Sequence, residues 1–233
     1  MLVMVKMQLG WWFPHTPHHR HYRHNRHSWI TQPKFLKAEE CYLLLEACKK
    51  SKTKCLHPFV ATALYAGLRK DELFHLEWSD IDMERGVLKI ANKDGWHTKS
   101  KKGRDVPMPR SLREILKKHP AYLDSLSVFY NSDGTRFHDI RKSFNRAVKI
   151  AGLDHITFHS LRHTYASLLV MQGKDLPTIQ LLLGHSDIKT TMRYAHLAPD
   201  HLHQAVEDFT FDPSWRLSCN TSSICGRWSI PDC

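Results

Sequence analysis

The sequence predicts an α+β protein that is mainly helical and carries one small three-stranded antiparallel sheet. Two observations support this fold class. Apolar residues recur at helical spacing over most of residues 36–210, whereas residues 80–108 contain short apolar stretches separated by turn sequences such as NKDG and KSKKG. The apolar content of 42% is compatible with a globular protein, and 233 residues are enough to form a core.

The helices are predicted from apolar periodicity and from the signals at their ends. The segment LKAEECYLLLEACKKS begins at Leu36 and places its apolar residues on one face. HPFVATALYAG is predicted to be a buried helix that ends at Gly67, and a short helix follows from Asp71. Gly173 and Gly184 mark two later helix ends. Further helices are predicted at 110–118, 137–151, 159–172, 175–183, 188–196 and 199–209.

The sheet is predicted between residues 80 and 108. Its strands are VLKIA, GWHTK and RDVPMP, and DIDMERG is predicted to form the turn that precedes them. SDG at 132–134 predicts another turn, between two helical segments.

The two ends of the chain differ in composition from its middle. Residues 1–35 contain PHTPHHRHYRHNRH, with six His and three Arg in 14 residues, and such a segment cannot bury enough apolar surface to fold. Residues 211–233 have no apolar period and many small polar residues. We therefore predict a disordered His/Arg-rich tail over 1–35, one domain over 36–210 and an irregular tail over 211–233.

The net charge of +11 favours a polyanionic partner such as nucleic acid. The charge is unevenly distributed, because residues 1–38 hold six Lys and Arg and no acidic residue. The excess over the rest of the chain is small, so net charge by itself is weak evidence for DNA binding.

Membrane and metal partners are not expected. No apolar run approaches the roughly 18 residues of a spanning helix, and the first residues lack the features of a secretory signal. This predicts a cytoplasmic protein whose six Cys remain thiols. Cys41, Cys48 and Cys55 recur every seven residues, which favours one side of packed helices. No complete zinc set of short CxxC and HxxxH pairs is present, and we predict neither a metal nor a cofactor.

Several polar residues stand beside apolar helix or strand positions, where their side chains can face a cleft. Arg69 lies at the junction of two predicted helices, and Lys99 lies near a strand end. His159 and Arg162 are three residues apart at a helix start and therefore share a face. Tyr194 lies nine residues after a histidine that follows a helix-ending glycine. The full set is Arg69, Lys99, His159, Arg162, His185 and Tyr194.

These residue types suit phosphoryl transfer. Guanidinium groups provide planar, permanently charged donors for the oxygens of a pentacoordinate phosphorus. A phenol can attack the phosphorus if its site is cationic or supplies a base, and a lysine can protonate the leaving alkoxide. Taken singly, each residue also has a structural explanation: Arg69 could bind a helix dipole, His185 could cap a helix and Tyr194 could be a core residue.

Four stretches in this order resemble the catalytic domain of the tyrosine recombinase (phage integrase) family. They are TALYAGLRKDELFHLEWSDID (62–82), HTKSKKGRDVPMP (97–109), ITFHSLRHTYASLLV (156–170) and LLLGHSDIKTTMRYAHLAPDHL (181–202). One such stretch would be weak evidence, whereas four in order are specific. The resemblance implies an integrase-like catalytic domain over 36–210 and a site-specific DNA recombinase, associated with a mobile element, that acts through a 3′-phosphotyrosine intermediate.

The resemblance also implies a role for each residue. Arg69 and Arg162 would bind the scissile phosphate, His185 would donate to a phosphate oxygen, and Glu72 would support the arginines. Tyr194 would be the nucleophile.

The remaining two roles concern proton transfer. His159 would assist proton transfer to or from the tyrosine. Lys99 fits the position of the general acid seven residues before Val106, although Lys101 and Lys102 are neighbouring alternatives. His163, His75 and Trp78 are interpreted as packing or solvent residues rather than catalytic ones.

The chain departs from the family pattern at its N-terminus. Members usually carry a helical domain there that clamps the DNA, and residues 1–36 are too short and too polar to form one. We therefore expect an enzyme with double-stranded DNA as its partner whose activity is impaired by the missing clamp. The resemblance implies a tetramer on paired sites. The alternative is a non-catalytic or truncated DNA-binding remnant of an integrase.

Overall fold

The computed structural model describes residues 34–198 except positions 94, 100, 101 and 124. Most of the predicted N-terminal tail, the predicted helix 199–209 and the predicted tail 211–233 lie outside the described residues. Lys101, one of the three candidate lysines, lies outside them as well. None of the helices in the described part of the chain is long and apolar enough to cross a membrane.

The described residues contain eight α-helices and one small sheet. Two single-turn 3₁₀ helices, Trp78–Asp80 and Ala195–Leu197, complete the helical elements. The α-helices are α1 (Ala38–Lys49), α2 (Leu56–Ala66), α3 (Lys70–Phe74), α4 (Arg110–Lys118), α5 (Arg141–Ile150), α6 (Phe158–Met171), α7 (Leu176–Leu183) and α8 (Lys189–Met192). The predicted mainly helical α+β class is confirmed, although the segment predicted at 137–151 begins its helix only at Arg141.

The sheet has three antiparallel strands in the order β1 (Ile81–Asp82), β2 (Val87–Ile90) and β3 (Arg104–Pro107). The number of strands was predicted correctly, but one assignment was wrong. GWHTK forms no strand, and its only ladder contact in the described residues is an isolated bridge between Lys93 and Trp96. DIDMERG supplies β1 as well as the turn, because Asp82 pairs with Val87 across a tight loop.

The main core is built around α2, which is buried along almost its whole length. Phe59 lies at its centre, with ring contacts to Phe74, Phe129, Phe137 and Phe158 at centroid distances of 4.9–6.4 Å. Burying one such side chain contributes about 1.5–3 kcal/mol to folding. This packing fixes α2, and with it the loop that follows, against α6.

A second, smaller core joins α6 to α7 and to the segment after α8. Its buried residues are Ala166, Val170, Ile179, Leu183 and Tyr194. The candidate nucleophile is therefore also a core residue, and α6 is the element that both cores share.

Candidate active site

One cleft, of about 360 Å³, brings the predicted catalytic residues together. It lies where the start of α6, the end of α7 and the α2–α3 loop meet, and it also includes residues that the sequence did not single out as catalytic, chiefly His163 and Arg193. The predicted residues that line it are Arg69, Lys99, His159, Arg162, His185 and Tyr194.

The α2–α3 junction positions Arg69. Gly67 ends α2 in the left-handed conformation with φ of 61°, and a Cβ at this position would lie 2.3 Å from Cδ1 of Tyr165. Glycine is therefore required both by the backbone and by the close approach of α6. The chain then turns so that Arg69 precedes α3 and its side chain enters the cleft.

Glu72 is a buried carboxylate that binds two arginines. Arg69 donates to it from its backbone N–H and from Nη1, each at 2.8 Å, while Arg104 donates from Nη1 and Nη2 at 2.9 and 2.7 Å. Burial raises the pKa of Glu72, but the hydrogen bonds and charge of Arg104, together with those of Arg69, lower it to about 2 overall. The carboxylate is ionised at neutral pH and holds both guanidinium groups in place.

Arg104 was not predicted to belong to the site. It is the first residue of β3, and the inward-facing Val106 lies two residues later on the same face of the strand. An arginine at an inward-facing strand position needs a partner, because a charged side chain is almost never buried unpaired. That alternation was the signal in the sequence that could have identified Arg104.

The C-terminal end of α7 binds three arginines through three consecutive carbonyl oxygens. These carbonyls lack partners within the helix and lie at the negative end of its dipole, so they favour cationic donors. We call Glu72 and these three arginines the arginine cluster. The pairs are Arg104 with Leu182 at 3.0 Å, Arg162 with Leu183 at 2.6 Å and Arg69 with Gly184 at 2.9 Å.

Arg162 connects the two helix ends that border the cleft. Its Nη1 donates to the Gly67 carbonyl at 2.7 Å, and its Nη2 donates to the end of α7. Burial, and next the charge of Arg69, lower the pKa of Arg162 to about 9, which leaves it protonated at neutral pH. Both of its donor groups are oriented by backbone oxygens before any ligand binds.

The histidines of the cleft are neutral hydrogen-bonding groups at pH 7. Burial, and after it neighbouring positive charge, lower the pKa values of His163 and His185 to about 4. His185 Nδ1 lies 2.9 Å from the Thr191 hydroxyl, a contact that fixes the ring. Within the described residues, no three His, Cys, Asp or Glu side chains are close enough together to hold a metal ion.

The sequence left open whether Tyr194 is a core residue or a residue of the cleft, and in the structure it is both. The helix predicted at 188–196 ends at Met192, and Tyr194 lies in the turn between α8 and the last 3₁₀ helix. Its side chain is only 2% exposed and packs in the second core, whereas its hydroxyl lies 2.6 Å from Nδ1 of His163 at the cleft. Burial raises the pKa of Tyr194, while Arg193 and Arg162 lower it. The interpretation of His163 as a packing or solvent histidine is therefore incomplete.

Lys99 is an exposed residue of the β2–β3 connection that reaches the cleft. The preceding residue, Thr98, is buried. Its backbone N–H donates to the Asn92 side chain at 2.9 Å, and its hydroxyl donates to the Lys102 carbonyl at 3.1 Å. These contacts hold the backbone on both sides of Lys99. Between the two described candidate lysines, Lys99 and Lys102, it is Lys99 that lines the cleft, and its role remains a prediction.

Two fixed guanidinium groups, neutral imidazoles and a tyrosine hydroxyl line one cleft, and these are the groups that a phosphate-binding site with an adjacent nucleophile would need. The chain itself belongs to the phage integrase family, because its residues 34–201 match the sequence profile of that family. The fold is that of an integrase catalytic domain, as the resemblance implied.

Individual relatives agree with this assignment. The chain is 35% identical to the tyrosine recombinase XerC of Thermodesulfovibrio yellowstonii, over 75% of this chain and 62% of that protein. It is similar to the solved catalytic domain of the bacteriophage HP1 integrase, with 32% identity, a TM-score of 0.58 and coverage of 77% of this chain and 95% of that one. It is also similar to the XerH recombinase bound to a palindromic difH substrate, with 25% identity, a TM-score of 0.62 and coverage of 78% and 55%.

The chain spans about half to three fifths of the length of the curated relatives that it matches. The similarity therefore covers the catalytic domain.

Proposed function

We propose that this protein is a site-specific DNA recombinase that cleaves and rejoins DNA strands through a 3′-phosphotyrosine intermediate. The observation that carries the proposal is the position of the Tyr194 hydroxyl, which borders the same cleft as the Arg69 and Arg162 guanidinium groups. We propose double-stranded DNA as the substrate, because the family resemblance implies it and because the similar XerH site-specific recombinase was solved bound to its palindromic difH substrate. The proposal includes a cytoplasmic location, in association with DNA.

The arginines bind the scissile phosphate in this proposal. Arg69 and Arg162 are held by backbone carbonyls, and each retains N–H groups that can face the cleft. Negative charge increases on the non-bridging oxygens as phosphorus becomes pentacoordinate. Preorganised donors of this kind are each worth roughly 2.7–4 kcal/mol in a transition state. His185 provides a further, neutral donor to a phosphate oxygen.

The chemistry is a reversible exchange of one ester for another. The Tyr194 oxygen forms a bond to phosphorus, the bond from phosphorus to the 5′-oxygen breaks, and Lys99 donates a proton to that oxygen. The 5′-hydroxyl of another strand then attacks the phosphotyrosine, and Tyr194 leaves. Because one phosphoester replaces another at each step, strand joining needs no external energy source.

Recombination requires four strands to be exchanged, so the proposal includes a tetramer on two paired sites, as the family resemblance implies. Each protomer would supply one Tyr194. Sedimentation of the protein with and without a paired-site DNA would measure this assembly, and a monomer on every DNA tested would contradict it.

The test of the function is formation of a covalent adduct. The protein is mixed with nicked duplexes of varied sequence, in which cleavage releases a short strand and traps the intermediate, and the products are separated on denaturing gels. We expect a slow-migrating adduct that is abolished by Tyr194→Phe. Tyr42→Phe is the matched control, because Tyr42 is 64% exposed on α1 and distant in sequence from the cleft residues.

A DNA-binding remnant without turnover would give a different result. The protein would then retard duplex DNA on native gels, and neither the wild type nor Tyr42→Phe would form an adduct on any duplex.

A further inference from the structure

His163 is the partner of the candidate nucleophile. Its Nδ1 lies 2.6 Å from the Tyr194 hydroxyl, and this is the only hydrogen bond of that hydroxyl with another described residue. His159, to which the family resemblance gives the proton-transfer role, lies one helical turn earlier on α6 and is exposed. The two imidazole rings meet edge to face at a centroid distance of 4.6 Å.

The contact between His163 and Tyr194 lies at the edge of the second core, which holds the Tyr194 ring in place. The two rings lie 5.8 Å apart, and the Tyr194 ring packs against the face of α6 that carries Ala166 and Val170. His163 is the residue directly after Arg162, so the same turn of α6 fixes a phosphate-binding group and the partner of the hydroxyl.

His163 is uncharged at pH 7, as a proton acceptor must be, but in the protein without DNA its lowered pKa makes it a weak base. Burial, and next the neighbouring His159, Arg193 and Arg162, lower its pKa to about 4, so the ring is neutral at pH 7 and one of its nitrogens has a free lone pair. A bound DNA phosphate adds negative charge to the cleft. That charge favours the imidazolium form at the moment when the proton is transferred.

We propose that His163 is a catalytic residue that accepts the proton of Tyr194 during strand cleavage and returns it during joining. This inference rests on the proposed function. As the tyrosine oxygen bonds to phosphorus, its O–H bond breaks and the proton moves to Nδ1, while the 5′-oxygen leaves and is protonated on the opposite side of the phosphorus. In the joining step the departing phenolate takes the proton back from the imidazolium.

The experiment measures the rate of adduct formation in a single turnover on the nicked duplex. The variants are His163→Ala, which removes the acceptor, and His163→Asn, which retains a hydrogen-bonding side chain but cannot hold a proton. We expect both to slow adduct formation about a hundredfold, the lower end of the usual contribution of a general base. DNA retardation on native gels and the thermal unfolding midpoint should remain near those of the wild type.

His57→Asn is the matched control, because His57 is a half-buried histidine near the start of α2 that does not line the cleft. It should react at the wild-type rate. A wild-type rate in His163→Asn would overturn the proposal, because a hydrogen bond without a base would then suffice. A wild-type rate in His163→Ala would overturn it as well.

A second substrate separates the two proton transfers. A duplex with sulfur in place of the bridging 5′-oxygen has a thiolate leaving group, whose conjugate acid has a pKa of about 8.5 and needs no proton donor. We expect this substrate to restore the rate of Lys99→Ala and to leave His163→Ala slow. Full restoration of His163→Ala would place His163 on the leaving-group side and overturn the proposal.

Failure of the function and failure of this inference are distinguishable. If the wild type forms no adduct with either substrate, the proposed function is wrong. If the wild type reacts and the His163 variants match it, only the role of His163 is wrong.

Discussion

The arginines on one side of the cleft are fixed by hydrogen bonds within the protein, whereas the lysine on the other side is not. The guanidinium groups of the arginine cluster are bound to a buried carboxylate and to helix-end carbonyls. The ammonium group of Lys99 is exposed and has no hydrogen bond or ion pair with any other described residue. Folding thus orients the groups that are proposed to bind phosphate. The side chain of the proposed proton donor has no such fixed orientation and can adjust when the ligand binds.

Because of this difference, we expect substitutions in the arginine cluster to lower both stability and activity, and substitution of Lys99 to lower activity alone. Removing a member of the arginine cluster leaves buried charges without partners, which costs folding free energy as well as function. The Lys99 side chain is exposed, and its removal breaks no hydrogen bond or ion pair with another described residue. The following predictions test this comparison, in decreasing order of their effect on stability.

The largest effect is expected for Glu72→Ala. Two guanidinium groups would lose their buried partner, and breaking such a pair costs about 3–5 kcal/mol of unfolding free energy. Urea unfolding measures this loss, and adduct formation should disappear with it. Glu114→Gln is the control, because the side chain of Glu114 is 50% exposed and its ion pair with Lys117 is long, at 3.9 Å. Equal stability of the two variants would contradict the importance of the cluster.

The next effect is the dependence of stability on acid. The pKa of Glu72 is lowered to about 2 in the folded protein, whereas an unfolded glutamate titrates near 4.3. Its contribution is therefore present above about pH 4.3 and is lost as the pH falls towards 2. By linkage this amounts to roughly 3 kcal/mol. Urea unfolding between pH 6 and pH 3 should show a steeper loss for the wild type than for Glu72→Ala, and parallel curves would refute the assignment.

A smaller effect is expected for Gly184→Ala, with Gly152→Ala as its matched control. Both glycines have positive φ, of 65° and 67°, so each alanine adds about 1–2 kcal/mol of backbone strain. A Cβ at Gly184 would lie 2.9 Å from Cδ of Arg104, whereas nothing lies within 4 Å of one at Gly152. Both variants should lose stability in urea, but only Gly184→Ala should also slow adduct formation. If the two variants formed the adduct at equal rates, the geometry of the arginine cluster would not be needed for catalysis.

The smallest effect on stability belongs to Lys99→Ala. An exposed side chain without a buried contact usually changes unfolding free energy by less than about 0.5 kcal/mol. Adduct formation should nevertheless fall by a factor of about 10²–10⁴, the range of general acid catalysis. Lys101→Ala and Lys102→Ala serve as comparators in the same assay. If one of them shows the loss and Lys99→Ala does not, the proton donor is the neighbouring lysine.

The course of the helices could be predicted from the sequence because their signals are local. Apolar residues at helical spacing and a terminal glycine specify α2 and α7 within a few residues of their observed ends. The candidate residues could be named from four short stretches whose order is specific to the family. Their convergence on one cleft could be expected from the resemblance, whereas none of the distances could.

The wrong or missing predictions concern contacts between residues that are far apart in the sequence. GWHTK was predicted to be a strand because it lies between two turn sequences. Strand formation also needs a partner, and β2 is already paired with β1 on one edge and β3 on the other. Arg104 and Glu72 are 32 residues apart, and His163 and Tyr194 are 31 apart. No local pattern states that these side chains meet.

The sequence by itself determined the fold class, the family and the identities of the residues that can act on a phosphate. Only the tertiary structure decided that three arginines donate to three successive carbonyls at the C-terminal end of α7, and that the Tyr194 ring is buried while its hydroxyl reaches His163. The physical reason is that residue type fixes what a group can donate or accept, whereas the packing of α6 against two separate cores fixes which groups lie within hydrogen-bonding distance.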